Sequence, residues 1–70
     1  MPWTVETRLR GKRAEDFLRI FPDKEVQWEE STASESEDAA RKDYEERTGY
    51  DCAVRLLDPD GKERARWSPE

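Results

Sequence analysis

Cys52 is the only cysteine in this chain of 70 residues, and histidine is absent. No disulfide can form within one copy. A Cys/His zinc site is excluded as well, because one thiol cannot complete a tetrahedral shell. A chain this short buries only about 60% of the surface that its unfolded form exposes. Its stability has to come from a compact apolar core, from self-association or from a partner. One domain spanning residues 1–70 is the expected organisation. The apolar fraction is 33% and the charged fraction 44%, a balance that disordered chains share. Three tryptophans, two phenylalanines and two tyrosines supply enough large apolar surface for a small core instead.

The net charge of −5 is unevenly spread. Arg8, Arg10, Lys12 and Arg13 form a basic cluster, whereas residues 23–46 hold ten acids against Lys24, Arg41 and Lys42. Such polarity serves solubility, or it sets out two opposite patches that orient a partner. No run of about 18 apolar residues exists to span a membrane. Met1-Pro2-Trp3-Thr4 lacks the basic-then-apolar pattern of a signal peptide. An unpaired cysteine suits a reducing compartment, so the cytoplasm is the expected location.

Residues 3–9 alternate. Trp3, Val5, Thr7 and Leu9 fall on one side and Thr4, Glu6, Arg8 and Arg10 on the other, the pattern of a half-buried strand. Ala14, Phe17, Leu18 and Phe21 make one helical stripe over 12–21, with Glu15 and Asp16 expected in the first turn and Pro22 as the stop. The rival reading takes 17–21 as a strand that turns at Pro22-Asp23 and pairs with Val26–Trp28. In both readings 25–29 is a short strand.

Residues 34–48 predict the main helix. Ser34 and Glu37 have the spacing of a capping box. Glu37–Arg41, Asp38–Lys42 and Asp43–Arg47 are acid-to-base pairs at i, i+4, and Gly49 suits a left-handed C-terminal cap. Ala39, Ala40 and Tyr44 form its thin apolar face. Residues 52–57 and 62–67 predict a hairpin around Asp58-Pro59-Asp60-Gly61, in which Asp, Pro and Gly each suit their turn position. Glycine at the fourth position and no glutamate at the twelfth argue against a calcium loop.

Little here points to catalysis. Histidine is missing, the serines at 31–36 belong to the helix-capping region, and 70 residues leave little volume for a cleft. The chain is therefore expected to be no enzyme and to need no cofactor or metal. Cys52 reads as a small core residue, with Arg55, the nearest base, facing away. The candidate partner-binding residues are Arg8, Arg10, Lys12, Arg13, Arg55, Arg64 and Arg66. If the first strand neighbours the hairpin, Arg8, Arg10, Arg55, Arg64 and Arg66 gather on one sheet face, suited to phosphates or carboxylates. Glu6 and Glu63 would neutralise much of that face. The acidic stretch from Glu25 to Glu46 offers the reverse surface, carboxylates that imitate a phosphate backbone.

A leading strand, an acidic stretch, the helix Ser34–Thr48 with Ala39 and Ala40 facing inward, and the hairpin Cys52–Trp67 together resemble small phage-encoded inhibitors of the anti-CRISPR type. The resemblance is architectural, covers about two-thirds of the chain and carries no residue across; a helix at 12–21 departs from it. It implies a stoichiometric inhibitor that occludes a surface on a host nucleoprotein.

The expected fold is α+β: an antiparallel sheet of three to five strands with the 34–48 helix on one face and, if the 12–21 stripe is helical, a second short helix. Trp3, Val5, Leu9, Phe17, Val26, Trp28, Tyr44, Cys52, Val54, Leu56 and Trp67 are the expected core. The leading function is a non-catalytic interaction protein that binds another protein, anchored by an exposed aromatic such as Trp28, Trp67 or Tyr50. Direct nucleic-acid binding through the arginine face is the alternative, and a homodimer is compatible with so small a core.

Overall fold

The computed structural model describes residues 2–69. Six elements follow one another: β1 (Trp3–Leu9), α1 (Gly11–Ile20), β2 (Glu29–Ser34), α2 (Glu37–Arg47), β3 (Cys52–Leu57) and β4 (Glu63–Trp67). The strands form one antiparallel sheet in the order β2-β1-β3-β4. The fold is the expected α+β arrangement, with four strands and both helices.

The hairpin forms as its turn chemistry dictates. Asp58 Oδ1 accepts from the Asp60 and Lys62 backbone N–H groups, both at 2.9 Å. Gly61 takes a positive φ of 84°, a conformation that favours glycine. Val54 pairs with Trp67 and Leu56 with Ala65, so the hairpin presents these side chains to one face. β1 lies on the other side of β3 and adds Val5 opposite Leu56. α2 packs on this face, against β1, β2 and β3. Val5, Ala40, Cys52, Val54 and Leu56 are buried there, with Trp3, Tyr44, Ala65 and Trp67 packed around them.

The helix stripe at 12–21 is real, and the rival strand does not form. Its setting differs from expectation, because α1 contributes no buried residue. Leu9, Phe17 and Val26, expected in the core, instead border a shallow groove between α1 and residues 23–27. Trp28 is half-buried on the opposite side of the sheet from α2. Nor do Glu15 and Asp16 lie in the first turn, which contains no acid.

Three further expectations are corrected between residues 25 and 47. No strand forms over 25–28; the strand is Glu29–Ser34 and includes Ser31 and Ser34 of the serine cluster expected in the helix-capping region. Pairing with β1 imposes it, with Trp3 opposite Ser34 and Val5 opposite Thr32. The main helix starts at Glu37 rather than 34. Ser36, not Ser34, is its N-cap and accepts from the Ala39 N–H at 3.3 Å, while Ser34 Oγ accepts from the Ser36 N–H at 3.2 Å. Ala39 is exposed, and Ala40 alone of the two alanines is buried.

Both outer strands are irregular. Thr32 pairs with Val5 and Glu30 with Glu6, so Ser31 is an extra residue in β2. Ala65 pairs with Leu56 and Glu63 with Leu57, so Arg64 is the extra residue in β4. Each is a β-bulge.

Candidate interaction surfaces

The face of the sheet away from α2 was expected to gather five arginines. β1 and β3 do bring Glu6 opposite Arg55, and β4 brings Arg66 opposite Arg55. The carboxylates intervene. Arg55 Nε donates to Glu6 Oε1 at 2.7 Å, and its Nη2 stands 2.5 Å from the same oxygen. Arg66 Nε donates to Glu63 Oε1. The bulge takes Arg64 out of the row, and its Nη1 lies 3.8 Å from Asp58 Oδ2. Trp28 completes this cluster. It reaches across β1 so that the Arg55 guanidinium lies 4.4 Å and that of Arg66 5.5 Å from its ring, within the range of cation–π attraction. On this face Arg55 and Arg66 are thus each paired with a carboxylate and lie against Trp28, while the Arg66 side chain stays 55% exposed.

The remaining basic residues sit where β1 runs into α1. Arg10 is half-buried there and its backbone N–H donates to the Asp51 carbonyl at 3.0 Å. Arg8, Lys12 and Arg13 are exposed, and among the described residues they make no ion pair. The seven candidate residues therefore divide into two groups: Arg55, Arg64 and Arg66 in ion pairs, and Arg8, Arg10, Lys12 and Arg13 at the strand–helix junction.

The acidic surface is the better defined of the two poles. Residues 29–47 hold eight carboxylates against Arg41, Lys42 and Arg47. The rest of the chain has ten acids and ten bases, so the whole formal charge of −5 resides in this one segment. Of the three expected i, i+4 pairs on α2, Glu37–Arg41 closes, at 2.7 Å. Among the described residues the other two do not, and Arg47 donates instead to Thr32 Oγ1 at 3.4 Å. Glu29, Glu30, Glu35, Asp38, Glu45 and Glu46 are all exposed and without an ion-pair partner among the described residues.

Cys52 is buried, and its thiol lies 3.8 Å from the Arg47 carbonyl. Burial pushes its pKa up, with Arg13 and Arg47 opposing that shift. The reactive thiolate is therefore disfavoured. The bases that act on it are these two and not Arg55, an arrangement that neither residue's distance in sequence disclosed. Tyr44 is likewise shifted up, by burial and then by Glu45 and Glu63. Among the described residues, no three acidic or thiol side chains gather as a metal site requires.

No family model, curated protein or solved structure matches the chain. Among the described residues, no helix is long and apolar enough to cross a membrane. Of the three aromatic anchors expected at the surface, Tyr50 is exposed, while Trp28 and Trp67 are half-buried.

Proposed function

We propose that the chain is a non-catalytic interaction protein whose acidic segment, residues 29–47, docks on a basic protein surface. The observation that carries this reading is the incomplete neutralisation of residues 29–47, where Glu37 pairs with Arg41 but six exposed carboxylates have no ion-pair partner among the described residues. Charge concentrated in one segment of a small body speeds and orients encounter with a surface of opposite sign. Surfaces that hold nucleic acid are basic, so a nucleic-acid-handling complex is the natural partner class. Occupying such a surface would block it, which is how an inhibitor of the phage-encoded type would act.

Direct nucleic-acid binding draws less support from the geometry. Arg55, Arg64 and Arg66 are engaged with carboxylates, and phosphates would have to displace these while approaching an acidic molecule.

Quantitative affinity purification from the native host tests the proposal. The intact chain should recover one stoichiometric partner, and Asp38→Asn/Glu45→Gln/Glu46→Gln should lose it. Equal recovery by that variant, or recovery of chaperones alone, would sink the reading. A gel shift on random DNA that weakens steeply with salt and disappears in Arg8→Glu/Arg10→Glu would favour the alternative.

A further inference from the structure

The core stays open at one end. Val5, Thr7 and Leu9 share a face of β1. Val5 is buried, but Thr7 and Leu9 are only half-buried, although Leu9 pairs with the buried Cys52. Beyond Leu9 the chain turns into α1 at Gly11, with φ of 58°, and beyond Arg47 it turns again at Gly49, with φ of 97°. A cavity of about 450 Å³ lies over the strand ends between them. Pockets that hold small molecules run from about 300 to 1,000 Å³. Thr7, Leu9 and Cys52 line it from the sheet and Arg13 from α1. Glu46, Arg47 and Tyr50 line it from the end of α2 and the segment that follows.

Two guanidiniums in this cavity stand outside any ion pair. Arg19, Arg41, Arg55, Arg64 and Arg66 are each engaged by a carboxylate. Among the described residues Arg13 and Arg47 are not, even though Glu46 lines the same cavity. Arg47 has only a 3.4 Å hydrogen bond to Thr32 Oγ1. Burial raises the Cys52 pKa and the charges of Arg13 and Arg47 oppose that shift, so both guanidiniums lie near one buried atom. The carbonyls at the α2 C-terminus would repel an anion, but two of them are occupied. That of Glu45 accepts from the Thr48 N–H and hydroxyl, and that of Arg47 from the Cys52 thiol. Tyr50, 58% exposed, adds an aromatic ring to the wall. We propose that this cavity binds a small organic anion, its carboxylate or phosphate held by Arg13 and Arg47 and its flat apolar body set against Tyr50 and Leu9. Arginine takes either group through paired N–H donors, and planar apolar groups pack on a tyrosine ring. The Thr7 hydroxyl supplies a neutral donor. Glu46 is the internal competitor for the same guanidiniums.

Titration of the intact chain with phenyl phosphate, benzoate and inorganic phosphate, followed by amide NMR shifts, tests this. Phenyl phosphate and benzoate should give saturable shifts centred on Thr7, Arg13, Arg47, Tyr50 and Cys52, and inorganic phosphate should bind more weakly for want of an apolar body. Arg13→Gln should weaken phenyl phosphate binding by about tenfold or more, the effect of losing one charge-assisted contact. Arg13 is exposed on a helix with no buried residue, so the core survives the change, and tryptophan fluorescence checks that it does. Lys62→Gln removes the same charge at the hairpin turn, the opposite end of the sheet, and should leave binding unchanged. Glu46→Gln should strengthen it. No saturation up to millimolar ligand overturns the proposal, because Glu46 or solvent then satisfies the arginines. Equal weakening by Arg13→Gln and Lys62→Gln overturns it too, as diffuse attraction to positive charge. Arg13→Gln leaves residues 29–47 untouched, so this proposal and the function above fail separately.

Discussion

Glu6 does more for this molecule than its polar-face position suggests. It accepts from Arg55, whose guanidinium is pressed under Trp28 and next to Arg66. The side chains of both partners are mostly covered, at 25% and 20% exposure. Removing the negative charge leaves a half-buried cation with one weak acceptor. Hydrogen bonds to charged groups contribute about 1.5–3 kcal/mol, and partial solvent screening lowers that. Glu6→Gln should therefore destabilise the fold by about 1–2 kcal/mol, read as a lower urea midpoint with an unchanged slope. The same change at Glu63, whose pair with Arg66 is more exposed, should cost less. Residue chemistry also explains why the arginine row was misjudged. Strand alternation places side chains on faces correctly, but it does not say which of two opposite charges will close on the other, and it cannot foresee a bulge at Arg64.

Among the elements, α2 shows how two competing local signals are resolved. Ser34 with Glu37 and Ser36 alone are both acceptable helix starts. The structure uses Ser34 to finish β2, where it pairs with Trp3, and leaves capping to Ser36. Ser36→Ala should cost about 1 kcal/mol, the usual worth of an N-cap, and Ser34→Ala less; thermal melts of the two variants distinguish them. Equal losses would mean that the helix begins earlier. The hairpin's place and turn were legible because Asp58-Pro59-Asp60-Gly61 carries its own instructions, though its bulge at Arg64 was not. β2 was not, since Glu29–Ser34 has no apolar alternation and owes its extended form to β1. α1 was legible as a helix and misread as core. Periodicity shows that one side is apolar, but the identity of whatever covers it lies outside the pattern.

At the scale of the molecule, shape and charge are both uneven. The radius of gyration is 12.7 Å, against about 11 Å for a compact chain of this length, in keeping with a helix that stands off the core. Net negative charge is concentrated in residues 29–47, so those carboxylates repel one another. Raising ionic strength from about 0.01 M to about 0.15 M shortens the screening length from about 30 Å to about 8 Å. The urea midpoint at fixed protein concentration should rise over that range. A fall would mean that the ion pairs on the far sheet face outweigh the repulsion.

The bulges at Ser31 and Arg64 bear on how far assembly can proceed. An outermost strand with a regular ladder is a template for the next chain, and such growth is open-ended. Here both flanks are kinked by one surplus residue, and an incoming ribbon would find neither in register. Growth by edge-to-edge strand pairing is therefore blunted on both sides.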